Sequence, residues 1–284
     1  MKTVKYICAI LAVAVLAVSC QKHVIHYIGE EALGEDMARF NICYFNPVSS
    51  SVAANKIDSV LVNDKFVTGI GGVGQLGVYA SVPSFGAGCF FTAPKGTINI
   101  KLFQGGVATY DRDIVINDTD PRSVFFTRTD VEPCLVNYNY PFDVTSGPTT
   151  ADKFDSDSIT LVRFVNVVFE NINGNVAPTT RILQYQWRWK NDTKDESGEY
   201  HWSNVGGPVA FGQASEREKV PYHKDTFNAS GSSRVDYRVI DATTGEELDT
   251  DYWTAYAGRA PMHVFRGVLN GSPASAITQL YDNY

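Results

Sequence analysis

The sequence predicts an all-β protein in which two antiparallel β-sandwich domains follow one another behind a removable N-terminal segment. Three observations carry that prediction. Apolar residues come in short runs bounded by Gly, Pro, Asn and Asp; aromatic residues are abundant, with 16 Phe, 15 Tyr and 4 Trp; and one strand pattern occurs twice. Short runs rich in aromatic and β-branched residues, punctuated by turn formers, suit strands better than helices. The 284 residues leave room for two domains of roughly 100–150 residues each.

The first element is not a strand. Lys2 and Lys5 precede the apolar stretch Ile7 to Val18, and Leu16-Ala17-Val18-Ser19-Cys20 places small residues before a cysteine. This is the pattern of a secretory signal, and it resembles that of bacterial lipoproteins, in which residues 1–19 would be removed and Cys20 lipidated as the new N-terminus. The apolar run is too short to span a bilayer, which needs about 20 residues. Lipid on Cys20 is therefore the expected membrane anchor, and the expected location is the bacterial cell envelope, as an outer-membrane lipoprotein facing the periplasm or the surface. Residues 20–37 carry Gly29, Glu30, Glu31, Gly34, Glu35 and Asp36 with little strand periodicity and read as a tether.

From Ala38 the apolar residues alternate, as they do in half-buried strands. Strands are expected at Arg39–Phe45, Val60–Val67, Val78–Val82, Phe90–Ala93, Thr97–Phe103, Asp113–Ile116 and Ser123–Arg128, with a hairpin turn at Gly105-Gly106. These make a first sandwich over 38–146. The polar stretch 147–158, with Gly147, Pro148 and several aspartates, reads as a linker. A second sandwich over 159–284 takes strands at Ile159–Phe169, Ile182–Lys190, His201–Val205, Arg234–Ile240, Asp251–Tyr256 and Met262–Leu269, with a turn at Thr244-Gly245.

The two sets correspond. Ala38-Arg39-Phe40-Asn41 parallels Val162-Arg163-Phe164-Val165-Asn166, Ser81-Val82-Pro83 parallels Lys219-Val220-Pro221, and Ile98 to Phe103 parallels Val235 to Ile240. Spacing agrees in the back half and is longer in the front half of the second copy, where loops absorb extra residues at little entropic cost. At these residues the chain resembles the domain of unknown function 4397 family, found in bacterial envelope and secreted proteins, often in tandem. Its members begin with a strand like Arg163-Phe164-Val165-Asn166 and continue to an element like Tyr79-Ala80-Ser81-Val82-Pro83. The resemblance implies β-sandwich domains, which we expect to be Ig-like, and it supplies no active-site residues.

Charge narrows the partners. The formal charge of −7 includes Lys2 and Lys5, so it falls by two to −9 when the signal leaves. An acidic chain without a Lys/Arg cluster repels phosphate backbones, and nucleic acid is not expected as a partner. Cys43, Cys89 and Cys134 remain after Cys8 and Cys20 are assigned, and isolated cysteines in apolar strands are ordinarily small buried hydrophobes. Gly69-Ile70-Gly71-Gly72-Val73-Gly74 matches a nucleotide-loop pattern, but no helix follows it, so a hairpin loop is expected. His23, His26, His201, His223 and His263 show no metal-ligand spacing, and no nucleophile–base arrangement stands out. The acidic run Asp152-Lys153-Phe154-Asp155-Ser156-Asp157 lacks the Gly and distal Glu of a calcium loop. No cofactor and no metal are expected, and the chain reads as a non-enzyme.

The remaining lead is aromatic. Tyr185, Trp187 and Trp189 alternate with Gln186, Arg188 and Lys190, so a strand would align three rings on one face; Tyr200 and Trp202 follow closely. Such rings either fill a core or, exposed, stack on sugar faces and anchor protein partners. The function expected is a binding or adhesion module for envelope glycans or proteins, with these five residues as contacts. Two alternatives are a fimbrial-type subunit polymerising by strand addition and a glycan-active enzyme.

Overall fold

The chain is built almost wholly of strands. The structure is a computed structural model and describes residues 34–68, 75–83, 90–137, 158–190, 192–221, 232–256 and 260–280. Cys20, His23, His26, the loop 69–74, Cys89, the acidic run 152–157 and His223 lie outside the described residues. Among the described residues the one helical element is the 3-10 turn Ala53–Asn55, and no helix is long and apolar enough to cross a membrane. The fold is all-β.

In the first half, strands β1 (Met37–Tyr44), β2 (Ser59–Val62), β3 (Lys65–Thr68), β4 (Ala80–Val82), β5 (Phe91–Pro94), β6 (Gly96–Gln104), β7 (Val107–Ile116), β8 (Arg122–Phe126) and β9 (Cys134–Asn137) form two sheets. One has the order β4-β1-β8-β9, with β5 also paired to β1, and the other β3-β2-β6-β7. Between them lies a core that includes Phe40, Ile42, Tyr44, Ile98, Ile100, Leu102, Tyr110 and Phe126.

The second half contributes β10 (Ser158–Asn166), β11 (Phe169–Ile172), β12 (Asn175–Pro178), β13 (Leu183–Trp189), β14 (Ser203–Asn204), β15 (Glu218–Pro221), β16 (Ser232–Asp241), β17 (Glu247–Tyr256), β18 (Met262–Arg266), β19 (Val268–Leu269) and β20 (Ala276–Leu280). Its sheets run β15-β10-β18-β20 and β14-β13-β16-β17, with a small β12-β11-β19 sheet beside them. The repeat is thus topological. In each half the opening strand lies between a parallel partner (β1 with β8, β10 with β18) and an antiparallel one (β1 with β4, β10 with β15). Both X-Val-Pro motifs lie on an antiparallel partner of the opening strand but at different registers: Val82 pairs with Ile42, three residues after Arg39, and Val220 with Thr160, three residues before Arg163.

Three expected strands are broken in two. Val60–Val67 is the β2–β3 hairpin, turned at Asn63 and Asp64 with φ of 47° and 60°, the left-handed values that Asn and Asp tolerate best. Ile159–Phe169 divides into β10 and β11. Met262–Leu269 divides at Gly267, whose φ is 90° and where a Cβ would stand 2.4 Å from the Ala274 carbonyl oxygen. Strands β9, β12, β15 and β20 lie outside the expected set; β9, β12 and β15 are four residues each and β20 five, too short to give much alternation to read.

Among the described residues every ladder pairing stays within 37–137 or within 158–280, yet the two halves belong to one compact unit. A third apolar cluster joins them. Cys43, Phe125 and Val136 from the β4-β1-β8-β9 sheet, with Phe45 just past β1, pack with Val165, Met262, Val264 and Leu280 from the β15-β10-β18-β20 sheet and Val167 just past β10. Neighbouring residues on β1, β8, β10 and β18 point the opposite way, into the sandwich cores. These central strands are therefore buried on both faces, which is why Ile42-Cys43-Tyr44-Phe45 and Val264-Phe265 read as continuous apolar runs. Polar contacts cross the same seam. Arg128 Nη1 donates to the Val176 carbonyl, Arg163 Nη1 donates to the Asn137 carbonyl, and the Arg266 guanidinium lies 4.2 Å from the Tyr79 ring centre. At Gly212, with φ 76°, a Cβ would meet Cys134 Sγ at 2.8 Å, so the seam is closed by direct contact there.

Candidate functional site

The sheet β14-β13-β16-β17 has one face on a core and one on solvent, and strand alternation sorts its side chains. Tyr185, Trp187 and Trp189 go inward. Tyr185 stacks between Phe164 at 5.1 Å and Tyr237 at 5.4 Å, and the Trp187 and Trp189 rings meet edge to face at 5.5 Å. The row of three rings expected as a contact surface is thus core, with Trp187 and Trp189 only 7% and 6% exposed. The hydrophobic effect decides this: three rings paired across the ladder with Val235, Tyr237 and Val239, on the same face, gain more by burial than by remaining in water.

Tyr200 and Trp202 lie elsewhere, on the outer side. The loop that carries them is folded on Asp195, whose Oδ1 accepts from Ser197 N at 2.9 Å, Ser197 Oγ at 2.6 Å and Glu199 N at 3.1 Å. Those bonds, led by that from the Ser197 hydroxyl, hold the Asp195 carboxyl below its usual range. The chain then turns back so that Ser203 pairs with Trp187 and Asn204 with Gln186. This puts Tyr200 and Trp202 over the solvent side of β13.

There they meet arginines. The Arg188 guanidinium is 3.7 Å from the Tyr200 ring centre and 5.2 Å from that of Trp202; Arg238 is 4.6 Å from Trp202, and Lys194 Nζ is 5.0 Å from Tyr200. Across the sheet, Arg234 lies 3.7 Å from the Tyr252 ring. Cation–ring pairs at these distances are attractive, by about 0.5–2 kcal/mol depending on exposure. Polar side chains fix the arginines in register. Asp236 accepts from Arg188 Nη2 at 2.6 Å and Arg234 Nε at 3.3 Å, while Arg238 Nε donates to Gln186 Oε1 at 2.7 Å and Gln186 Nε2 donates to Asn204 Oδ1 at 2.8 Å. The result is a continuous band from Tyr200 and Trp202 through Arg188, Arg238 and Asp236 to Arg234 and Tyr252. Four cations face two acids, Asp236 and Glu247, on a chain that is acidic overall. Fixed rings and forked donors are the chemistry of recognition.

No protein-family model matches the chain, and no curated protein does. The Bacillus anthracis TIE protein is similar in structure at TM-score 0.23 and 10% identity, over 82% of this chain and 34% of that one, so this chain spans about a third of that protein. A Bacteroides ovatus protein described as a candidate cell adhesion protein has TM-score 0.25 and 9% identity, over 88% of this chain and 98% of that one.

Of the band, sequence reading named Tyr200 and Trp202 and missed Arg234, Arg238, Asp236 and Tyr252. Their signal is the outward register of β16 and β17, visible only once these strands are paired with β13. Acidic residues of the first half are engaged locally. Asp111 and Asp113 both accept from Asn99 Nδ2, and Asp118 pairs with Arg122. Cys43 and Cys134 carry free thiols, which burial pushes upward in pKa, for Cys134 to about 11. No group of three or more potential metal ligands occurs among the described residues.

His263 is fully buried, with Nδ1 2.7 Å from the Tyr185 hydroxyl and its ring edge-to-face with Trp253 at 4.7 Å. Burial keeps it neutral and lowers its pKa to about 3, against about 6.5 in an unfolded chain. Between these values the unfolded chain binds a proton that the folded one does not. The stabilisation is complete above about pH 6.5 and is lost as pH falls toward the folded value. His263→Phe should flatten this part of the acid profile in urea midpoints measured from pH 7 to pH 4. An unchanged slope would assign the acid lability to other groups.

Proposed function

We propose that this chain is a cell-envelope lipoprotein, a tandem relative of the domain of unknown function 4397 proteins, whose second sandwich is a non-enzymatic binding module for envelope glycans or proteins. The arginine–aromatic band carries this reading, and Trp202 is its centre because two arginines hold its ring at the surface. Sugar faces and protein side chains both stack on such rings, and the arginine forks add directional polar contacts.

The test is a glycan array, with envelope proteins as a second probe set, using soluble protein beginning near Gly29. Trp202→Ala should abolish binding while changing stability by less than about 1 kcal/mol, as surface substitutions generally do. Retained binding by that variant, or an absence of any ligand for the wild type across both probe sets, overturns the proposal.

Anchoring is tested separately. Cys20→Ala should leave an unprocessed precursor that takes no lipid label. Normal maturation and acyl labelling of this variant would reject the lipid anchor.

A further inference from the structure

At one end of the seam, the last strand of the first sandwich comes beside the chain leading into β15 and leaves a cleft of about 470 Å³. Its lining includes Leu135, Asn137, Arg163, Pro208, Gln213 and Glu216. The volume lies in the range of small-molecule sites, roughly 300–1,000 Å³.

Arg163 sets its chemistry. The residue is 5% exposed, and a buried guanidinium is unfavourable unless paired and hydrogen-bonded. Its bonds go to neutral acceptors: Nε donates to the Ser215 carbonyl at 2.6 Å, and Nη1 donates to the Asn137 carbonyl. Nη2 has no acceptor among the described residues and is not sealed from solvent, and Arg163 forms no ion pair there. Two other partly buried arginines differ. Arg181 pairs with Glu170, Asp241 and Glu246, and Arg188 with Asp236. Burial, reinforced by nearby Arg217 and opposed by Glu216, lowers the Arg163 pKa to about 10, so it remains cationic at neutral pH.

We infer that this cleft is a binding site for a small organic carboxylate of hexose size, such as a hexuronic acid, with the carboxylate taken by Arg163 Nη2 and hydroxyls against the amide side chains of Asn137 and Gln213. A guanidinium edge suits a carboxylate. One free nitrogen with Glu216 nearby favours a monoanion over a phosphate dianion. The site is independent of the arginine–aromatic band.

Calorimetric titration of the chain beginning at Gly29 tests it, with sodium glucuronate as the probe and glucose, acetate and phosphate as comparisons at equal ionic strength. Glucuronate should saturate one site per chain, with each comparison at least about tenfold weaker, the scale of one charge-assisted contact. Arg163→Met should weaken glucuronate about tenfold or more. Because Arg163 also ties the seam, Leu135→Trp is the second variant: it stands on the rim, 37% exposed, and should fill the cleft, removing binding at an unchanged melting temperature. Trp202→Ala should leave glucuronate affinity as in the wild type, which separates this site from the band. The inference is overturned by no saturable glucuronate binding, by equal binding of glucose, by equal binding of acetate or phosphate (an adventitious ion only), or by a folded Leu135→Trp variant with unchanged affinity.

Discussion

Trp187→Ala and Trp189→Ala should each destabilise the protein by about 3–5 kcal/mol, the usual range for emptying a buried aromatic site. Both rings are nearly excluded from solvent and pack in the core that also holds Val235, Tyr237 and Trp253. They touch each other, so the double variant should cost less than the sum of the two single ones. Equilibrium urea unfolding of the singles and the double measures this directly. The sharp contrast is with Trp202→Ala, two strands' width of sequence away but on the solvent side. A loss below about 1 kcal/mol at Trp187 or Trp189 would mean that these rings are not core, and the inward register of β13 would be wrong.

How much of this was legible follows from what each residue type can signal. Alternation over Tyr185–Trp189 shows that three rings share a face, but not which face is wet. That depends on Val235, Tyr237 and Val239, which pair with β13 from some fifty residues downstream. The same distance hid Arg238 and Asp236 from any local reading. The strands that alternate cleanly, β6 and β13, belong to the outer sheets, with one face exposed. The central strands do not alternate, and this is itself the signal of the seam: Phe125 and Phe126 are adjacent and both fully buried, which a strand with a solvent face does not allow. What the sequence could not show is that the second buried face of β1 and β8 meets that of β10 and β18, since apolarity records burial without naming the partner.

Phe125→Asp should lower stability by about 4 kcal/mol or more, since it both empties an aromatic site and leaves a carboxylate without a partner in an apolar seam. Its form should be distinctive. Phe125 packs edge-to-face on Phe45 at 5.2 Å and belongs to the cluster between the halves, whereas Phe126 belongs to the core of the first sandwich. Breaking the seam leaves both sandwich cores intact, so differential scanning calorimetry should show one transition for the wild type and two for Phe125→Asp. Phe126→Asp, one residue along and facing the other way, should instead unfold the first sandwich itself. The isolated segments 38–146 and 158–284 test the same coupling from the other side. The first exposes Phe45 and Phe125, the second Val165, Met262 and Val264, so each should melt below the whole chain and associate through its bared sheet. If Phe125→Asp melts in one unshifted transition, the seam contributes nothing to stability. Equal melting of both segments and the whole chain would say the same, because apolar area removed from water on joining the halves must otherwise appear as a difference between whole and parts.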